Sequence, residues 1–233
     1  MSLKWKLPLI LICIFLIYLL FPSNNSSLDA YAYAADIKYD FSSLFRPHHL
    51  LYGPFYYILL LPARSLFPDL DILQALKILN ACCALSGLYI LYLIMKRLAI
   101  NENTALLYML LLAFSFGVWR FSTENEVYLV PVFFSLCASL FFLKTLITQK
   151  KKYLFYSGLF AAIACLFHPV HFFWWLGLLI TVIFYFKKLK SLLLFSCSAL
   201  IVPLAYLAVI VFQLKQPPTA SHLLHYVFSD DYS

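Results

Sequence analysis

Long apolar runs separated by short polar breaks dominate this chain. The runs fall at 5–22, 72–95, 103–120, 126–147, 153–168, 170–187 and 190–213. A helix needs roughly 20 apolar residues to cross the hydrocarbon core of a bilayer. The pattern therefore predicts an all-α fold, a polytopic transmembrane helical bundle of about seven spans. One further apolar stretch, "LLYGPFYYILLLPARSLF" at 50–67, is interrupted by Gly53, Pro54, Pro62 and Arg64. Proline removes a backbone donor and breaks a helix, a poor fit to lipid-facing backbone. This stretch reads as an outer-side juxtamembrane or re-entrant helix. The first run follows Lys4 and Lys6, and the "FPSNNSSLD" after it does not match a small-residue cleavage site. An uncleaved first span is expected. The expected layout is a single membrane domain over 1–233. It has a first span at 1–22, an outer loop with juxtamembrane helices at 23–71, six further spans in 72–213 and an outer-side tail at 214–233.

Composition agrees with that pattern. The 233 residues are 64% hydrophobic and 12% charged, against about 25% charged in soluble domains. All six cysteines sit inside apolar runs, without metal spacing or a Cys-x-x-Cys pair, and read as small packing residues. The net charge of +7 gives no reason to invoke nucleic acid, because lysine and arginine in a membrane protein mainly mark the cytoplasmic side.

Charge also orients the bundle. With the N-terminus inside, Lys4, Lys6, Lys96, Arg97, Lys144, Lys150, Lys151, Lys152, Lys187, Lys188 and Lys190 are cytoplasmic. Counting 50–67 as a span would put most of these outside, against the positive-inside rule. The same layout sends Asp29, Asp36, Asp40, Asp69, Asp71, Glu124, Glu126, Asp230 and Asp231 to the outer side, together with all six histidines. Chemically versatile side chains thus converge on one membrane face. A transporter would instead carry ionisable groups near the midplane, and the spans hold almost none.

Four stretches on that face carry candidate chemistry. In "SSLDAYAYAADIKYD", Ser26-x-x-Asp29 matches a capping box, while Asp29, Tyr33 and Asp36 share one helical face. Asp29 can close a helix or serve as a base, and Asp36 and Asp40 are expected to face water or an acceptor. In "FRPHHLLYGPFYY", Arg46 with His48 or His49 can hold an anionic group such as phosphate, or anchor at headgroups. Adjacent helical residues point about 100° apart, so the two histidines do not suit one metal. In "WRFSTENEVYLVP", Thr123-x-x-Glu126 again matches a capping box at a helix's positive end, and Arg120, Glu126 and Tyr128 can line a pocket. In "CLFHPVHFFWW", His168 and His171 flank a Pro169 turn, and Phe172 to Trp175 read as an interfacial aromatic belt.

These pieces, in this order and on this face, resemble the GT-C class of integral membrane glycosyltransferases, and within it the bacterial protein O-mannosyltransferase-like branch. The matching stretches are "LDAYAYAAD", "RPHHLLYGPFYY", the Ser122–Tyr128 turn and the segment from Gly158 to His168. The likeness covers roughly 5–187, and "RPHH" stands where the branch more often has "HPPG". The chain is short for that class. The resemblance implies a polyprenyl-phosphate sugar donor and a protein, lipid or glycan acceptor at the outer face of a bacterial plasma membrane. It aligns Asp29 with the family's catalytic aspartate. Arg46, His48, His49, Arg120 and His168 become candidates for meeting charge on the leaving phosphate, with a divalent cation as an open possibility. The alternative from another class is a non-catalytic polytopic protein: a pseudoenzyme, an assembly partner or a transporter-like module.

Overall fold

A computed structural model describes residues 3–98 and 100–228; Asp230 and Asp231 lie outside them. Every regular element among the described residues is helical. Four helical segments are long and apolar enough to cross a membrane: α4 (Ile72–Arg97), α7 (Leu129–Thr148), the segment Pro169–Phe186 that contains α9 (Phe172–Phe186), and the segment Leu189–Gln213. That is the architecture of an integral membrane protein.

The remaining expected spans take other forms. The run 103–120 is broken into α5 (Glu102–Ala113) and α6 (Phe116–Ser122), bent by 66°, and counts as a fifth crossing only if the bent pair is one span. Ser115 sits in the break with extended backbone and starts a new helix. The helix α1 (Leu3–Leu20) has only 15 residues, Lys6–Leu20, in its apolar stretch, and α8 (Lys151–Phe167) has 17 residues. The last run is irregular: α10 (Leu189–Ser196), a 3-10 turn, α11 (Ile201–Ala208) and a π-helical turn follow one another. The 50–67 stretch forms α3 (Tyr52–Leu66), 15 residues with Pro62 inside, and is not among the membrane-length helices. The expected tail carries α12 (Ala220–Val227), where the Tyr226 hydroxyl donates to the Phe45 carbonyl at 2.5 Å.

The bundle is organised around α7. It packs along α8 on one side and against α4 on the other, while α1 and α5 flank α4 and α9 to α11 cover α8. Close approach depends on two glycines. A Cβ at Gly158 would sit 2.3 Å from the Phe195 carbonyl oxygen, so α8 and α10 meet backbone to backbone. A Cβ at Gly53 would sit 2.3 Å from the Leu44 carbonyl oxygen, which seats α3 on the turn that follows α2 (Leu28–Tyr39). That turn, the short 3-10 turn Pro47–His49 and the start of α3 carry the candidate site to one end of α4, α7 and α8.

Candidate functional site

Tertiary contacts set up the loops differently from the two capping boxes. The N-cap of α2 is Ser27, whose hydroxyl accepts from the Ala30 amide at 3.1 Å. Asp29 therefore lies inside the first turn and does not cap. The second box fails for a related reason: Thr123 closes the end of α6, its hydroxyl donating back to the Trp119 and Arg120 carbonyls. The following helix α7 starts only at Leu129, so Glu126 stands in the loop ahead of it.

That loop is held by a buried polar knot that sequence patterning alone misses. Asn80 on α4 donates to the carbonyls of Glu124 and Glu126 at 2.7 and 2.8 Å and accepts from the Tyr56 hydroxyl. Asn125 accepts from the Tyr52 hydroxyl at 2.6 Å and donates to the Ala30 carbonyl at 2.8 Å. Glu124 is fully buried, 3.6 Å from the Lys77 ammonium, which also donates to the Ser23 carbonyl at 2.7 Å. The charge layout puts Lys77 and Glu124 on the outer side of the membrane and says nothing of their burial. Both are interior, where a charge pair buried together costs far less than either alone. One signal does point to this: Lys77 and Asn80, three apart on an otherwise apolar helix, share one face.

The knot ties the loop to the first turn of α2 and so brings Glu126 beside Asp29. Burial raises the Glu126 pKa, the Asp29 and Glu124 charges add to the rise, and the Ser27 hydroxyl and Arg120 oppose it. Arg120 itself donates to the Ser23 hydroxyl at 2.9 Å and the Asn25 carbonyl at 3.1 Å. It pins the 23–25 loop while remaining within electrostatic reach of Glu126.

A second line of side chains runs from α2 to the α8–α9 turn. Arg46 donates through Nε and Nη2 to one oxygen of Asp36, at 2.9 and 2.7 Å, and its guanidinium lies 4.8 Å over the Tyr33 ring. Asp36, expected to face water or an acceptor, is thus the partner of the expected phosphate-binding arginine. Tyr33 meets His49 edge-on, His49 meets His168 at 4.9 Å between ring centres, and His168 lies 5.6 Å from the Tyr128 ring. Desolvation, followed by the neighbouring His49, His171 and His48 charges, lowers the His168 pKa to about 4. At neutral pH His168 is therefore an uncharged hydrogen-bonding group. The ring of His171 points away from this line to the Ser135 hydroxyl at 2.7 Å, and His49 Nδ1 contacts the Phe167 carbonyl at 3.1 Å.

His48 turns the other way. It lines an apolar cavity of about 630 Å³ between α8, the α9 start, α11 and α12, with Cys165, Phe172, Tyr206 and Leu224 among its walls. Of the expected belt, Phe172 and Trp175 line the cavity, and Phe172, Phe173 and Trp174 are all exposed.

Asp29, Glu126, Arg46, His49, Tyr128 and His168 therefore occupy one neighbourhood, His48 opens onto the adjoining cavity, and Arg120 and His171 brace its edges. Such a site can move a proton at a carboxylate and meet an anion with arginine and imidazole. Among the described residues no three His, Cys, Asp or Glu side chains come together to hold a metal ion. No family model, curated protein or solved structure matches this chain.

Proposed function

We propose that this protein is a membrane glycosyltransferase of the GT-C type. It moves a sugar from a polyprenyl-phosphate donor to an acceptor hydroxyl on a protein, lipid or glycan, at the outer face of a bacterial plasma membrane. The proposal includes the seven-span layout with a cytoplasmic N-terminus. The observation that carries it is the tie of the Glu126 loop to the first turn of α2, which puts Glu126 within electrostatic reach of Asp29, together with the Arg46–Tyr33–His49–His168 line and an apolar cavity of about 630 Å³. The resemblance of the sequence stretches to the GT-C class points to the same residues.

In the proposed reaction Asp29 takes the proton from the acceptor hydroxyl. The acceptor oxygen bonds to the anomeric carbon, and the carbon–oxygen bond to phosphate breaks with its electron pair leaving on the polyprenyl phosphate. Arg46 supplies the permanent positive charge, and the neutral His168 supplies a hydrogen bond. Burial, with the neighbouring Asp29 charge adding to it, raises the Glu126 pKa. The cavity at His48 suits the apolar chain of a lipid-linked donor.

Membranes holding the full chain, incubated with radiolabelled polyprenyl-phosphate sugars, test this. Wild type should transfer label, and Asp29→Asn, inserted normally, should do so roughly 10²-fold more slowly. Normal transfer by Asp29→Asn with loss in Glu126→Gln would move the base to Glu126. Absence of transfer by wild type with every donor would favour the non-catalytic alternative.

A further inference from the structure

A crevice at the far ends of α2 and α3 belongs neither to the carboxylate site nor to the apolar cavity. It encloses about 360 Å³ and is lined by Lys38, Tyr39, Tyr57, Leu61, Arg64 and the residues leading into α4. Lys38 lies nine residues beyond Asp29, about 13 Å further along α2 at the helical rise.

Its two cations are uncompensated. Among the described residues the ion pairs are Arg46–Asp36 and Lys77–Glu124, so none joins Lys38 or Arg64 to Asp40, Asp69 or Asp71. Asp40 is engaged by Ser42 and Ser43, and Asp71 caps α4. The Arg64 guanidinium lies 5.1 Å over the Tyr57 ring and its Nη2 donates weakly to the Lys38 carbonyl at 3.3 Å. Its Nη1 is buried and meets no hydrogen-bond partner. A buried guanidinium nitrogen without an acceptor is rare, and it is a donor with a geometry suited to an anion.

Depth and surroundings identify the anion. Leu70 and Ile72, on either side of the α4 cap, line the crevice, so it lies where a 26-residue membrane-length helix begins. Phosphates of bilayer lipids occupy that level. Beside it α3 and its end expose Ile58, Leu59, Leu61, Leu66 and Phe67, an apolar strip suited to acyl chains. We propose that this crevice binds the phosphate of an anionic phospholipid between Lys38 and Arg64, with the acyl chains against Leu61 and its exposed neighbours. The bound lipid anchors the α2–α3 layer to the membrane surface.

The test counts retained lipid and needs no transferase activity, so it stands or falls apart from the proposed reaction. The full chain is reconstituted in nanodiscs of phosphatidylcholine with a minor share of phosphatidylglycerol, and lipid remaining on the released protein is counted by native mass spectrometry. Phosphatidylglycerol should be retained ahead of phosphatidylcholine on wild type. The preference should fall about fivefold in Lys38→Glu, the scale of one cation at an anionic surface. It should fall similarly in Arg64→Gln and survive in Lys96→Glu, at the other end of α4. Equal retention of the two lipids, an unchanged preference in Lys38→Glu, or an equal loss in Lys96→Glu overturns the proposal. Displacement of the lipid by soluble glycerol phosphate as effectively as by added phosphatidylglycerol also overturns it, and would assign the crevice to a free phosphate.

Discussion

Two polar regions lie side by side at one end of the bundle and behave as opposites. The knot of Lys77, Asn80, Glu124 and Asn125 is buried and cross-linked by hydrogen bonds, with one Glu124 carboxylate oxygen left without a partner. The neighbouring group of Asp29, Glu126, Arg46, His49 and His168 is only partly buried and holds like charges and imidazoles close together. Buried groups cross-linked in this way hold a shape. Groups whose preferred proton states conflict are available for chemistry. The first region is the frame that lets the second be frustrated.

Breaking the frame should have the largest effect. Lys77→Met leaves the Glu124 carboxylate buried without its counter-charge. Loss of one partner from a buried pair costs about 3–5 kcal/mol. Detergent-solubilised Lys77→Met should unfold at clearly lower temperature than wild type. The double variant Lys77→Met/Glu124→Leu should recover much of the loss. Failure to recover would mean that the Ser23 contact of Lys77, not its charge, is what matters.

Asp29→Asn probes the other side of the comparison. Because Ser27 provides the cap, the substitution should leave the start of α2 intact and lower thermal stability by less than loss of the cap does. Removing the cap itself with Ser27→Ala should cost about 1 kcal/mol. An Asp29→Asn protein as unstable as Ser27→Ala would make Asp29 part of the frame.

His168 sharpens the contrast through pH. Its folded pKa is lowered to about 4 from 6.5, so in that window the unfolded chain binds more protons than the folded one. Stability should be fully present above pH 6.5 and fall as pH drops towards about 4. Replacing His168 by Gln should flatten that fall, read as melting temperature against pH. Glu126 works in the opposite sense. Its raised pKa makes stability decline as pH rises through its titration, and Glu126→Gln should remove that decline.

A modest effect is expected for Arg120→Ala. It loses two partly exposed hydrogen bonds to the 23–25 loop, worth about 1 kcal/mol together once solvent competition is counted. Donor affinity should change less than in Arg46→Ala; a larger change would make Arg120 a substrate contact.

Much of the architecture is legible in the chain itself. Apolar run length is a property of local sequence, so the helical membrane architecture and the exceptional character of 50–67 follow directly from hydropathy and proline. The aspartate, arginine and histidine stretches that meet at the site are also visible there. So is the divergence of His48 and His49, because helical geometry turns adjacent side chains about 100° apart. Local rules fail at the two capping boxes. Ser26 and Ser27 offer the same hydroxyl one residue apart; in the fold Ser27 takes the cap and Asn125 holds the Ala30 carbonyl.

Tertiary structure decided the rest. Nothing within a few residues of Arg46 says that Asp36 will take its guanidinium, or that Lys77 will turn inward to Glu124 from a distant part of the chain. Hydropathy records how willingly a residue leaves water by itself, and says nothing of a partner that makes leaving cheap. For the apolar runs the solvent alone is decisive, so sequence determined them. For the charged residues the balance of desolvation against pairing is decisive, and that balance exists only once distant segments have met.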